Sequence, residues 1–195
     1  MNRSQALLWK SDYVEGFCVI KPPAGIEKAY QLDEGISRRA GWPDDVVCKM
    51  DPEFPKDIAL ADNLYGAGAI IVSETLRAEL ERRQPDGIEF LPVGIQNHKG
   101  RRESSPYFLM NPLNVVECID LEASQVRWNR TDPQVIKRCA RLVIRPEALP
   151  KEASIFRPKF WPRLVLVRQE VCDSLLAAGF SGLFFQDPLE YMGMG

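Results

Sequence analysis

Two stretches of the chain share one apolar skeleton. Ile70–Phe90 reads IIVSETLRAELERRQPDGIEF, Val165–Phe185 reads VLVRQEVCDSLLAAGFSGLFF, and they align without a gap at an offset of 95 residues. Each opens on an apolar triplet rich in β-branched residues, which suits a strand. In the first copy Ser73 is a predicted helix N-cap. Leu76 and Leu80, four apart, share one face and leave Arg77, Glu79, Glu81, Arg82 and Arg83 to solvent. Glu74 in the first turn and the arginines in the last match the helix dipole. In the second copy Val171, Leu175 and Leu176 form the stripe, and Gly179 stands where a left-handed C-terminal cap is expected. Both copies then turn, at Asp86-Gly87 or Ser181-Gly182, and resume an extended apolar run. The predicted unit is strand, short helix, turn, strand. Four of the 21 aligned positions are identical: Val72/Val167, Leu80/Leu175, Gly87/Gly182 and Phe90/Phe185. That number leaves two readings open, a duplicated scaffold element or two unrelated pieces shaped by the same physics.

Between the copies the pattern is mostly β. Tyr107–Leu121 is apolar and punctuated at Asn111-Pro112, where the proline predicts a kink or a strand edge. Ser124–Arg130 and Val135–Arg145 flank Thr131-Asp132-Pro133-Gln134, a turn sequence, and predict a hairpin with basic residues along it. Pro146–Pro150 reads as a turn or a single helical turn. In the first sixty residues, strands are expected near Ala6–Trp9, Phe17–Ile20 and Val46–Met50, among Pro22, Pro23, Pro43, Pro52 and Pro55. The fold class is α+β, with a mixed or mainly antiparallel sheet and few short helices. One compact unit over residues 1–195 is expected, its irregular β-rich portion (1–57) packed on the repeat-bearing sheet.

Composition narrows the class. The chain has 195 residues, 45% hydrophobic and 27% charged, enough for a sizeable core and too apolar for disorder. No apolar run reaches the length of a membrane span, and the first sixteen residues lack a signal-peptide core, so a cytoplasmic protein is expected. Cys18, Cys48, Cys118, Cys139 and Cys172 are scattered and odd in number, and are read as small buried apolar residues. The net charge is only −2, but Arg127–Arg168 holds eleven Lys or Arg against three acids. That segregation points to a charged partner.

Candidate chemistry is sparse. His98 is the one histidine, in a polar loop, and no nucleophile elbow accompanies it. Tyr65–Ile71, YGAGAII, lacks the lysine of a phosphate-binding loop. No cofactor or metal site and no catalytic residue is called. Two binding faces stand as candidates. One is an acidic loop with an aromatic, Trp42, Asp44, Asp45, Asp51 and Glu53, suited to a basic partner. The other is a basic face, Arg127, Trp128, Arg130, Lys137, Arg138 and Arg141, suited to an acidic protein or to nucleic acid. Trp161, beside Pro162 and Arg163, is a further loop tryptophan of the kind that anchors interfaces.

Tyr107, Phe108, Asn111 and Asp120, followed by the strand–helix–Gly182-to-Phe185 ending, resemble a family of bacterial immunity proteins. It is the eleventh catalogued immunity family of the polymorphic-toxin systems. The resemblance covers about residues 58–190, and the first copy matches the same idiom. It supplies no catalytic residue. It implies a small cytoplasmic, non-enzymatic protein that binds and neutralises a cognate toxin, delivered by contact-dependent or type VI secretion. A 1:1 or a 2:2 complex is expected, the latter through a homodimer. The competing reading is a nucleic-acid-binding module built on the basic hairpin.

Overall fold

A computed structural model describes residues 5–84 and 86–191; Pro85, in the turn of the first copy, lies outside them. The chain runs β1 (Ala6–Ser11), β2 (Val47–Lys49), β3 (Asn63–Leu64), β4 (Ile71–Ser73), α1 (Glu74–Arg83), β5 (Ile88–Gln96) and β6 (Tyr107–Pro112). It continues through β7 (Val115–Val116), β8 (Arg127–Trp128), β9 (Ile136–Arg138), β10 (Ile155–Pro158), β11 (Leu166–Arg168), α2 (Gln169–Ala177) and β12 (Leu183–Gln186). The strands form two five-stranded sheets, ordered β2-β5-β6-β4-β3 and β12-β1-β11-β10-β7, and the small β8-β9 hairpin. Among the described strands, only the β2–β5 and β7–β10 pairings are parallel. The class is α+β, mostly antiparallel, as the sequence predicts.

The shared skeleton corresponds to a shared architecture. In the first copy, β4 and β5 flank β6, which is antiparallel to both. In the second, β11 and β12 flank β1 in the same way. The registers agree residue for residue. Ile71 faces Leu109 as Leu166 faces Leu8, and Ile88 faces Pro112 as Leu183 faces Ser11. The outer strands agree too, since Asn63 faces Val72 as Ile155 faces Val167. Each unit is thus four strands and a helix, β3-β4-α1-β5-β6 and β10-β11-α2-β12-β1. In the first, β6 follows β5 through a hairpin. In the second, the equivalent strand comes from the other end of the chain. Matched register across four strands favours the duplicated element over coincidence.

Period-2 alternation divides the core. Val72, Met110, Ile155, Val167 and Trp9 turn to one side and join Leu76, Leu80, Val171, Cys172 and Leu175 of the two helices in a central core shared by both units. Their neighbours turn the other way. Ile71, Leu91 and Leu109 pack under Cys18, Ile20, Leu32, Val46 and Cys48 of the N-terminal portion. Leu8, Phe156 and Leu166 pack under Cys118, Ile119, Ile136, Leu142 and Trp161. Each sheet is therefore buried on both faces over its centre.

The helices begin and end as the residues dictate. Ser73 Oγ accepts the Leu76 amide at 3.2 Å, closing the start of α1. Gly179 adopts φ +79 and its amide bonds the Leu176 carbonyl, stopping α2. The stripe of α2 differs from expectation: Leu176 is half exposed, and Cys172 fills the central core instead. Two further expectations are corrected. Phe17–Ile20 forms isolated bridges to Ala59, Tyr65 and Met50 and no continuous strand, because adjacent prolines and Gly16 leave it no uninterrupted neighbour. The basic hairpin is shorter than its pattern suggested, since Leu142 turns inward and Ile144 bridges Ile119. All five cysteines are buried, and burial pushes the thiols of Cys48, Cys118 and Cys172 up to about 12.

Asn63 and Gln84 stitch the units together at equivalent places. Asn63 Nδ2 donates to Gly182 O at 2.9 Å and its Oδ1 accepts Trp9 Nε1 at 3.3 Å. Gln84 Oε1 accepts the amides of Ser154 and Ile155 at 2.7 and 2.9 Å. In each case the start of one unit's outer strand meets the helix–strand turn of the other.

Candidate functional site

The family-type motif residues serve the scaffold. Tyr107 Oη donates to Ala61 O at 2.8 Å. The Arg77 guanidinium lies 4.3 Å from the Phe108 ring centroid. Asp120 Oδ1 accepts the Ala123 amide at 2.9 Å and shapes a turn. Asn111 is fully buried in a polar network, where Nδ2 donates to Glu89 and to Ile36 O while Oδ1 accepts from Arg157. Arg157 also donates to Pro112 O, Pro162 O and Leu32 O at 2.6–2.9 Å. Burial pushes its guanidinium down to about 10, so it stays charged at neutral pH. Burial pushes the Glu89 carboxyl up, but hydrogen bonds from Ser37, the Arg38 amide and Asn111 outweigh it and hold it below the usual range. This network pins residues 31–38 onto both sheets.

The structure divides the acidic candidate in two. Asp44 and Asp45 precede β2, while Asp51 and Glu53 follow it, about 20 Å of extended chain away. Asp45 pairs with Arg102. Trp42 is a core lid: its ring packs on the N-terminal core and Nε1 donates to Pro92 O at 2.9 Å. Trp161 is fully buried. Trp161 is therefore no free anchor, and Trp42 is partly held by apolar neighbours that a polar loop sequence hides.

Asp51 and Glu53 adjoin something the sequence reading missed. Tyr13 lies 5.7 Å from Phe54 and 6.0 Å from Tyr65, ring centroid to ring centroid. Residues 13–18 and 54–59 run side by side, with Ala59 N on Gly16 O at 3.0 Å and Cys18 N on Ala59 O at 2.8 Å. Tyr13, Val14, Ile58 and Tyr65 expose 42, 41, 62 and 39% of their surface. Buried Asp57 holds the cluster in place, accepting Tyr13 Oη at 3.0 Å and Gly16 N at 2.9 Å. No periodicity announces this cluster, since its members come from three separate stretches of the chain.

The basic candidate stays together. Arg127 sits directly opposite Arg138 across β8 and β9, and Arg130, Lys137 and Arg141 are exposed beside them. Like charges opposite one another disfavour the pairing. Trp128 is exposed at its edge and meets Phe160 at 5.6 Å, T-shaped. Phe160 has φ +70, a conformation bulky residues rarely adopt. His98 lies at the polar tip of the β5–β6 hairpin, where Gly100 N bonds Asn97 O. Among the described residues no three His, Cys, Asp or Glu side chains gather as a metal site would need, and no helix is long and apolar enough to cross a membrane.

A family model described as the immunity protein family (Imm11) matches residues 14–189. The match begins well before residue 58, taking in most of the irregular N-terminal portion. No curated protein matches the chain.

Proposed function

Because this chain belongs to that immunity protein family, we propose that it protects its bearer by binding a cognate bacterial toxin and blocking it, without chemistry of its own. The observation that carries the reading is the family match over nearly the whole chain. The geometry supports it. The motif residues are spent on packing and hydrogen bonding, and the exposed features are surfaces suited to docking. The partner is a toxin that acts in the cytoplasm, delivered by contact-dependent or type VI secretion. Segregated charge favours fast, oriented capture of such a partner.

Co-expression tests the reading. The full chain should rescue cells expressing the toxin encoded beside it and should co-purify with it in a stoichiometric complex. A toxin that stays lethal, with no complex, overturns it. A second reading rests on one observation, the Arg127–Arg138 pair flanked by exposed Trp128. A nucleic-acid module would bind through it with affinity falling steeply as salt rises. Absence of any shift of single- or double-stranded nucleic acid at low salt removes that reading.

A further inference from the structure

We infer that the Tyr13–Phe54–Tyr65 cluster, with Val14 and Ile58, is the docking surface for a cationic segment of the toxin, an inference that rests on the immunity reading. Among the described residues, four of the eleven exposed large apolar side chains gather here. Interface cores are apolar and aromatic with a charged rim, and this face has that composition. The basic hairpin does not: Trp128 stands among cations, a charge-dense surface that water solvates well.

The cluster is also preorganised. Asp57 fixes the Tyr13 hydroxyl, and Tyr65 is held by its backbone, whose carbonyl accepts the Ile20 amide at 2.9 Å. Gly66 follows at φ +103, and any side chain there would meet Ile20 O at 2.6 Å. Aromatic anchors that are already ordered lose little entropy on binding.

The rim sets the partner's sign. Residues 12–21 and 51–58 hold five acids (Asp12, Glu15, Asp51, Glu53, Asp57) and two lysines, a net −3. Asp51 is engaged by Lys21 at 3.5 Å and Asp57 by Tyr13, which leaves Asp12, Glu15 and Glu53 as exposed carboxylates next to these residues in the chain, against one other exposed lysine, Lys56. Guanidinium and ammonium groups are drawn both to carboxylates and to tyrosine faces. The complementary surface is therefore an Arg- or Lys-bearing segment with an apolar contact at its centre.

The test uses the full chain and the toxin domain encoded beside it, with affinity measured by calorimetry. Ile58→Lys, and separately Glu15→Lys with Glu53→Lys, change exposed side chains outside the cores. Each should leave the melting temperature unchanged and weaken the complex about a hundredfold. Arg127→Glu with Arg138→Glu should change affinity less than about threefold. If the patch variants bind as the wild type does while the hairpin variant fails, the surface is overturned and the hairpin takes its place. If the wild-type chain itself does not bind, the immunity reading falls, and this surface with it.

Discussion

Asp62 ties the two units together, and its removal should loosen both. Oδ1 accepts the hydroxyls of Ser73 at 2.8 Å and Thr75 at 3.1 Å, at the start of α1. Oδ2 accepts the Ser181 amide at 3.0 Å and its hydroxyl at 2.8 Å, in the turn that leads to β12. A hydrogen bond to a charged group contributes about 1.5–3 kcal/mol. Ser73 and Thr75 can re-pair with water, so most of the loss lies in the two Ser181 bonds. Asp62→Ala should therefore cost about 3–4 kcal/mol and Asp62→Asn about half that. The pH dependence has a definite sign. Burial pushes the carboxyl up, but the four hydrogen bonds outweigh it and hold it below the ordinary aspartate value. Its stabilisation is complete above the unfolded pKa of about 3.9 and is lost as the pH falls through the lowered folded value. Urea unfolding followed by tryptophan fluorescence, at neutral pH and stepwise into acid, measures both effects. A loss under about 1 kcal/mol for Asp62→Ala, or an acid limb as steep in Asp62→Asn as in the wild type, would refute the assignment.

The duplicated units allow paired tests. Leu80→Ala and Leu175→Ala, equivalent positions in one core, should each cost about 2–5 kcal/mol in urea unfolding, and their double mutant should depart from additivity. Gly182→Ala should cost more than Gly87→Ala by thermal melt, because a Cβ at 182 meets Asn63 O at 2.1 Å, whereas at 87 it meets the movable Asn114 side chain. Arg157→Met leaves four oxygens, three of them buried, without their donor and should cost about 3–6 kcal/mol, read as a lowered urea midpoint. A circular permutant that links the end of β12 to the start of β1 and opens the β5–β6 loop should fold to the same far-UV circular dichroism, since the new link copies the hairpin of the first unit.

The scaffold was legible where one local rule governs. Ser73, Leu76, Leu80 and Gly179 do what capping and helical periodicity assign to them. The skeleton shared by 70–90 and 165–185 reports a shared architecture with matched register. Its closing strand was not legible, because β1 completes the second unit from some 150 residues away and nothing in Ala6–Ser11 names its neighbours. The surfaces were least legible. Asp45 and Trp42 look free in sequence, yet Arg102 and Pro92 occupy them. Tyr13 looks like an ordinary loop residue, and only the fold brings Phe54 and Tyr65 to it.

The origin of β1 also bears on how the molecule is made. A ribosome releases Ala6–Ser11 long before its partners β11 and β12, which follow more than 150 residues later. At 5–20 residues per second the nascent strand waits about 10–30 s, while the first unit already has every strand it needs. Translation that stops before Leu166 yields half an architecture and an orphaned apolar strand, a ready target for chaperones and proteases. The fold thereby acts as its own proofreader, its second unit closing only once β12 has been made.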